Sequence, residues 1–326
     1  MREINFGDAL NEAHHEEMEA NEKVIVLGED VELAYVFGVS KGLAERFGKD
    51  RVRDTPISEL GIVGAGVGAA MAGYRPIIEI MFMDFIMLAM DQIVNNAAKL
   101  RYMLGGQVSV PLVVRTPGGG GVQYGPTHSQ CLEAWFMQVP GIKVVVPSDP
   151  ADAKGLMKSA IRDDNPVVFI EHKMLYKLKG EVPGGEHIVP FGQAAVKKSG
   201  SDITLVGVGY QVQNCLAAAD VLESEGISVE VIDPRTIAPL DVTSIAESVR
   251  KTNRCVIVEE GHLRSGVGSE ISASIQEEVF DYLDAPIARV AALNAPIPFE
   301  PKLEDFILPN PDNIVEVSRK VLGVSF

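Results

Sequence analysis

The chain has 326 residues, of which 46% are hydrophobic and 23% are charged, a composition typical of a globular protein with room for two cores. Its formal net charge of −16 disfavours binding to nucleic acid or to an anionic membrane surface. No apolar run reaches the roughly 20 residues of a membrane span, and the charged start is not typical of a signal peptide, so a cytoplasmic location is expected.

The first half of the chain alternates helical and strand patterns. An amphipathic helix is predicted over residues 7–20, and short apolar runs predict strands at 24–28, 75–80, 111–115, 142–147 and 166–170. Further helices are predicted over 84–100 and 150–162, the second with Asp149 as its N-cap. Buried strands separated by helices indicate a parallel sheet covered on both faces, and therefore an α/β fold.

A polar segment rich in glycine and proline interrupts this pattern after residue 176, and it is typical of a linker. The alternation then resumes, with strands predicted at 203–206, 229–232, 255–258 and 287–291 and helices at 211–225, 241–251 and 266–283. We therefore predict an α/β domain over residues 1–176, a linker over 177–200 and a smaller α/β domain over 201–326.

The segment Gly61–Gly73 consists almost entirely of small residues. Its Gly64-x-Gly66 portion is similar to a dinucleotide-binding fingerprint, but no apolar strand leads into it, as that motif requires. A helix packed closely against a neighbour is the favoured interpretation. Glu59 stands where this helix would begin, either as a carboxylate complementing the helix N-terminus or, if buried, as an acid/base group.

A run of four glycines, Gly118–Gly121, follows the strand predicted at 111–115. Such a run can cradle phosphate, but no Gly-Lys-Ser/Thr ending is present, and a mobile loop at the carboxyl end of a strand is favoured. The loop leads to His128, whose imidazole is suited to proton transfer near neutral pH. A histidine that caps the following helix is the alternative.

Other polar residues support only structural predictions. The pair His14-His15 is expected on the surface of the first helix, and Glu259-Glu260 at a solvated strand end. The three cysteines lie far apart in apolar contexts without metal-ligand spacing, and free buried thiols are expected.

Six motifs together resemble the E1 β subunits of thiamine-diphosphate-dependent 2-oxo acid dehydrogenase complexes. The resemblance extends from about residue 2 to 323, and its motifs occur in the same order as in the family. They are Gly28-Glu29-Asp30-Val31, Asp54-Thr55-Pro56-Ile57-Ser58-Glu59, Asp91-Gln92-Ile93-Val94-Asn95, His128-Ser129-Gln130, Ala153-Lys154-Gly155-Leu156 and Arg162-Asp163-Asp164-Asn165-Pro166. The resemblance implies a pyrimidine-binding domain followed by a transketolase C-terminal-like domain.

The resemblance also assigns roles to particular residues. Glu59 matches the glutamate that hydrogen-bonds N1′ of the thiamine aminopyrimidine, and Met81 and Phe85, with Ile57 nearby, match residues that contact this ring. His128 matches an active-site histidine that steers the intermediate or the incoming lipoyl group. The positions that match a structural potassium site in relatives are Leu112, Ala160, Ile161, Asp163 and Asn165.

A missing motif bears on the assembly that the resemblance implies. Single-chain thiamine enzymes carry Gly-Asp-Gly followed by an asparagine, which bind Mg²⁺ and the diphosphate, and this sequence has no Gly-Asp-Gly. The cofactor is therefore expected to be shared with an E1 α subunit that holds most of the Mg²⁺ ligands, in an α2β2 heterotetramer. A lipoyl-bearing E2 acyltransferase is the further partner implied.

The motifs leave the substrate open. Pyruvate and acetoin are favoured over branched-chain 2-oxo acids, which remain an alternative, and in the favoured cases an acetyl equivalent passes to lipoyl-E2. Two other hypotheses are a nucleotide-dependent oxidoreductase that uses Gly64–Gly68 and a non-catalytic scaffold of the same fold.

Overall fold

The computed structural model describes residues 1–34 and 37–323, and the chain divides into two compact units. The first comprises Met1–Gly118 and Trp135–Phe191, and the second comprises Gly119–Ala134 and Gly192–Phe326. The glycine-rich loop thus belongs to the second unit, although it follows a strand of the first. The domain boundaries expected at residues 176 and 201 stay a prediction.

Strands and helices alternate along most of the described chain. The strands are β1 (Arg2–Asn5), β2 (Val24–Gly28), β3 (Val52–Asp54), β4 (Arg75–Glu79), β5 (Val113–Gly118), β6 (Lys143–Val145), β7 (Val167–His172), β8 (Lys179–Val182), β9 (Ala195–Lys198), β10 (Ile203–Gly207), β11 (Val229–Asp233), β12 (Thr236–Ala238), β13 (Cys255–His262) and β14 (Ala288–Ala292). The α-helices are α1 (Phe6–Ala20), α2 (Leu43–Phe47), α3 (Glu59–Met71), α4 (Ala98–Met103), α5 (Glu133–Met137), α6 (Pro150–Arg162), α7 (Gln211–Ser224), α8 (Val242–Thr252), α9 (Val267–Val279), α10 (Pro301–Ile307) and α11 (Pro311–Leu322).

Six strands of the first unit lie in the order β6-β7-β5-β4-β2-β3, all parallel. Every residue of β5 and β7 is buried, as expected for central strands covered on both faces. The predicted parallel sheet is confirmed. The terminal strands β1 and β8, which were not predicted, form a separate antiparallel pair.

The second unit has a five-stranded sheet in the order β14-β13-β10-β11-β9. Four strands are parallel and the edge strand β9 is antiparallel to β11. Helices α7 and α11 pack on this sheet and bury a cluster of aliphatic side chains that includes Leu205, Val231, Val258 and Ile314. The second unit therefore has an apolar cluster of its own.

Local signals explain where the predicted helix α6 begins. The Asp149 side chain accepts a hydrogen bond from the Asp152 amide at 2.8 Å, and Pro150 occupies the first helical turn, where its missing N–H has no cost. The predicted helix over 150–162 with its Asp149 cap is confirmed.

The continuous helix predicted over 84–100 is wrong. The chain forms a 3₁₀ segment at Met83–Ala89, a π-helical segment at Asp91–Ala97 and the short α4. The Asn96 side-chain amide donates to the Asp91 carbonyl at 3.2 Å, and Asn95 donates to the Asp91 carboxylate at 2.8 Å. These bonds compete with regular α-helical pairing, which apolar periodicity alone does not reveal.

His14 is not on the surface as predicted, because its side chain is only 1% exposed. One ring nitrogen, Nδ1, lies 2.7 Å from the Leu10 carbonyl. Burial, followed by the charge of Arg115, lowers the pKa of His14 to about 3, so the ring is neutral at ordinary pH. His15 is half-buried.

Glu259 is also buried, in contrast to the solvated strand end that was predicted. Its carboxylate accepts a hydrogen bond from the Gly268 amide at 2.9 Å and so caps the start of α9. Burial raises its pKa to about 7, although the Gly268 and Val267 amides and Arg289 oppose the rise. The predicted free thiols are confirmed as buried for Cys215 and Cys255, whereas Cys131 is half-buried.

Within the described ranges, none of the helices combines the length and the apolar character that crossing a membrane requires.

Candidate functional site

Glu59 is the first residue of α3, and its side chain is only 7% exposed. The preceding residue, Ser58, does not cap the helix with its side chain, but its carbonyl accepts the Ile62 amide at 2.8 Å and so starts the helix. A carboxyl group is therefore held, nearly buried, beside helix amides that bear a partial positive charge. This placement combines the two alternatives that the sequence left open for Glu59, a helix-end position and a buried one.

Small residues allow α3 to pack closely on the sheet. A Cβ atom added to Gly66 would lie 2.8 Å from the Ile78 side chain of β4 and 3.2 Å from Leu112 Cδ1. The predicted close packing is confirmed. Because Gly64 and Gly68 both lie inside the helix rather than in a turn after a strand, the dinucleotide fingerprint is excluded.

A second carboxyl group, Glu29, lies near Glu59. It follows the carboxyl end of β2 and is half-buried. Burial raises the pKa of Glu29, and the negative charges of Glu59, Asp30 and Glu79 raise it further. The protein thus gathers acidic side chains at the carboxyl ends of its strands, where open α/β sheets bind ligands.

The apolar residues assigned to the pyrimidine ring retain accessible surface. Met81 and Phe85 are half-buried, and Ile57 is 81% exposed. Phe85 lies in the 3₁₀ segment that packs on α3, with its ring centroid 6.1 Å from that of Phe82. These side chains therefore keep accessible apolar surface.

A buried ionic network that joins β4, β5 and β7 was not predicted from the sequence. Arg115 on β5 donates through Nε and Nη2 to both oxygens of Glu171 on β7, at 2.7 and 2.5 Å, and through Nη1 to Glu79 on β4. The Tyr176 hydroxyl donates to Glu171 at 2.5 Å. Arg115 and Glu171 are each 1% exposed, so both charges are removed from water and depend on each other.

The network perturbs the acidity of its members. Burial raises the pKa of Glu79, which Arg115 only partly offsets, and Glu171 adds to the rise. Burial lowers the pKa of Arg115, but Glu171 and Glu79 raise it by more, and the net shift is upward. The sequence shows one charged residue of this network in each of three largely apolar strands, but it does not show that these strands are neighbours.

Of the five positions that match a potassium site, one directly precedes β5, two lie in the last turn of α6 and two follow that helix. The residues whose oxygen atoms match the potassium ligands are Leu112, Ala160, Ile161, Asp163 and Asn165. Arg75 donates to the Ile161 carbonyl at 2.7 Å and to the Asp163 carbonyl at 2.8 Å. A monovalent cation would have to use the second lone pairs of these carbonyls, beside a guanidinium group.

His128 lies in the second unit and is half-buried. Its backbone amide donates to the Gly125 carbonyl at 3.3 Å, and its Nδ1 atom lies 3.1 Å from the Thr127 hydroxyl. The following helix, α5, begins only at Glu133, so His128 is a loop residue rather than the cap of that helix. Glu59 and His128 thus belong to different units.

Two family models match the chain. "Transketolase, pyrimidine binding domain" covers residues 2–179, and "Transketolase, C-terminal domain" covers residues 192–314. A solved structure described as "Split gene transketolase, inactive beta4 tetramer" superimposes with a TM-score of 0.79 over 99% of both chains at 23% identity. The two-domain transketolase-like fold is therefore confirmed.

Curated relatives are similar over nearly the whole chain. The mitochondrial pyruvate dehydrogenase E1 component subunit beta of Dictyostelium discoideum is 48% identical, covering 98% of this chain and 91% of the relative. The subunit beta of acetoin:2,6-dichlorophenolindophenol oxidoreductase from Bacillus subtilis is 47% identical, covering 99% and 98%. The chain belongs to the E1 β-subunit family.

Two of the site features suit a thiamine-dependent E1 β subunit. Glu59 is a nearly buried carboxyl group at a helix start, and Ile57, Met81 and Phe85 leave apolar surface accessible. In the described ranges, no cluster of three or more histidine, cysteine, aspartate or glutamate side chains is arranged to hold a metal ion.

Proposed function

We propose that this E1 β-family chain is one half of a thiamine-diphosphate-dependent E1 enzyme that acts on pyruvate or acetoin. The reaction would be oxidative decarboxylation of pyruvate, or cleavage of acetoin, with reductive transfer of the acetyl group to lipoyl-E2. The observation that carries this proposal is the nearly buried Glu59 carboxyl at the first residue of α3.

Thiamine diphosphate, when bound, supplies a nucleophilic carbon and an electron sink for the substrate carbonyl. Glu59 would hydrogen-bond N1′ of the aminopyrimidine and hold or move the proton at that atom. A proton-transferring group must keep its position within a fraction of an ångström. The close contact between Gly66 and Ile78 supports such a fixed placement of α3, and hence of Glu59.

The remaining assigned residues would bind and orient. Ile57, Met81 and Phe85 would contact the pyrimidine ring through the surface that they leave exposed. His128 would orient the reacting group or the incoming lipoyl arm, with its ring set by the contact between Nδ1 and the Thr127 hydroxyl.

The other half of the site would come from an E1 α subunit in an α2β2 heterotetramer. This part of the proposal rests on the sequence, which lacks the Gly-Asp-Gly motif for Mg²⁺ and the diphosphate. The purified chain alone should therefore bind thiamine diphosphate weakly and catalyse no decarboxylation. Full activity from the isolated polypeptide would contradict the shared site.

Glu59→Gln tests the proposal in the complex reconstituted with the α chain. We expect decarboxylation to fall by about 10²- to 10⁴-fold, the usual contribution of a general acid–base group, while the complex keeps its sedimentation coefficient. Glu45→Gln is a matched control, because Glu45 lies in the first turn of α2 but is exposed. If Glu59→Gln were as active as Glu45→Gln, the non-catalytic scaffold would be the better explanation.

Substrate choice requires a separate experiment. The reconstituted complex would be assayed with pyruvate, acetoin and 2-oxoisovalerate, using an artificial electron acceptor so that E2 is not needed. We expect pyruvate or acetoin to give the highest kcat/KM. A clear preference for 2-oxoisovalerate would instead identify a branched-chain enzyme.

A further inference from the structure

The glycine-rich loop binds carboxylates of its own chain. The Gly120 amide donates to Glu260 Oε1 at 2.6 Å, and the Gly121 amide donates to Glu304 Oε1 at 2.9 Å. Glu304 Oε2 accepts from both the backbone amide and the side-chain amide of Gln123, at 3.1 and 2.8 Å. The sequence suggested a phosphate cradle or a mobile loop. In the structure, the backbone amides of Gly120, Gly121 and Gln123 are instead hydrogen-bonded to carboxylates of the same chain.

The backbone of the loop is shaped for this arrangement. Gly119, Gly121 and Gly125 have φ angles of 85°, 85° and 76°, and Gln123 has a φ of 56°. Left-handed residues spaced along a loop turn successive N–H groups toward one side, which makes a concave site for an anion. Because Gln123 is not a glycine, its left-handed conformation is strained and needs a compensating interaction.

The segment around α10 fits against the loop without spare room. A Cβ atom on Gly120 would lie 2.8 Å from Leu308 Cδ1, and one on Gly125 would lie 2.4 Å from Phe299 Cζ. Glu304 is 0% exposed, although its neighbour Asp305 on the same helix is exposed. The carboxylate of Glu304 is thus withdrawn from water, and its hydrogen bonds to Gly121 and Gln123 direct it to the loop.

We propose that Glu304 is a positioning residue for His128. Glu304 fixes Gly121 and Gln123, the Phe299 ring packs on Gly125, and the Gly125 carbonyl accepts the His128 amide. The proposal rests on the proposed function, because His128 matters for the reaction only if the chain is an E1 β subunit.

The test uses Glu304→Gln in the complex reconstituted with the α chain. The substitution keeps the shape of the side chain but places an NH₂ group opposite N–H donors. Asp305→Asn is the matched control, since it removes the same charge from the next, exposed residue. The first readout is hydrogen exchange of residues 119–127, and the second is the rate of acetyl transfer to a free lipoyl domain.

For Glu304→Gln we expect the loop amides to exchange about tenfold to hundredfold faster, as loss of charge-assisted hydrogen bonds predicts. Acetyl transfer should slow by about tenfold or more, and the double variant with His128→Gln should be no slower than His128→Gln alone. Asp305→Asn should behave as wild type in both readouts.

Unchanged hydrogen exchange of the loop amides in Glu304→Gln would overturn the proposal. Faster exchange with an unchanged rate of acetyl transfer would also overturn it. So would additive losses of acetyl-transfer rate in the double variant. If His128→Gln alone were fully active, the proposed role of His128 would be wrong. The proposal that Glu304 positions His128 for catalysis would then be wrong as well. If Glu304→Gln does not fold, Gln123→Ala removes one of the donors and should raise loop exchange by about twofold to fivefold; no change would again overturn the proposal.

Discussion

The substitution Gly66→Ala tests whether close packing holds α3, and therefore Glu59, against the sheet. Alanine is favoured over glycine inside a helix by about 1 kcal/mol. At Gly66, however, the added Cβ would meet Ile78 at 2.8 Å and Leu112 at 3.2 Å, and both of these side chains are fully buried. Overpacking of this kind costs about 1–3 kcal/mol.

Gly68→Ala provides the control for helix propensity. Gly68 lies two residues further along α3, is exposed, and has no atom within 4 Å of an added Cβ. The Gly68→Ala variant should be stabilised by about 1 kcal/mol. Because the gain in helix propensity is common to both variants, the difference in their free energies of unfolding isolates the overpacking cost. We expect Gly66→Ala to be less stable than Gly68→Ala by about 1–3 kcal/mol.

The assay is urea unfolding of the purified chain, followed by far-UV circular dichroism, with the free energy of unfolding extrapolated at a common slope. If Gly66→Ala were as stable as Gly68→Ala, then the contact with Ile78 would not restrain α3. Close packing of α3 would then not be what fixes Glu59.

Three further predictions concern buried charges. Arg115→Met should lower the free energy of unfolding by about 3–5 kcal/mol, because Glu171 and Glu79 lose their cation. Urea unfolding at pH 8 and pH 5.5 should show a smaller loss at the lower pH, because burial raises the pKa of Glu79, which then takes up a proton more readily. Glu259 has a folded pKa of about 7, above the ordinary value for glutamate, so its contribution is fully present below about pH 4.5 and is lost as pH rises through 7. The wild type should therefore lose roughly 3 kcal/mol relative to Glu259→Gln between pH 4.5 and 8, and equal pH dependence of the two proteins would contradict the assignment. Potassium at the oxygens of Ile161 and Asp163 would raise the melting temperature relative to an equal concentration of sodium. Arg75→Ala should enlarge that increase, because it removes the neighbouring positive charge. Identical melting curves in both salts would exclude a potassium site at these oxygens.

Elements with local signals were predicted well. Helix α6 was predicted because its Asp149 cap and its Pro150 start are adjacent in sequence, and the strands because apolar runs report burial directly. The segment from residue 84 to 100 failed because asparagine side chains bond to the Asp91 region and break the regular helix. Such competition depends on side-chain direction, which periodicity does not contain.

The site could be predicted only in part. Glu59 and the close packing of α3 followed from the run of small residues and from the family resemblance. The Arg115 network could not be predicted, because it depends on which strands are neighbours and on their register. The same reason explains why Glu259 was misjudged, since its partner amide lies at the start of a separate helix.

The bond between Gly121 and Glu304 joins residues 183 positions apart in the sequence. During synthesis the ribosome completes the first unit's sheet strands long before it adds Glu304. The Gly121 and Gln123 amides therefore remain in water until residue 304 has been made. A chain stalled or clipped before residue 304 would keep Glu59 and its helix but would lack the acceptor that shapes the loop before His128.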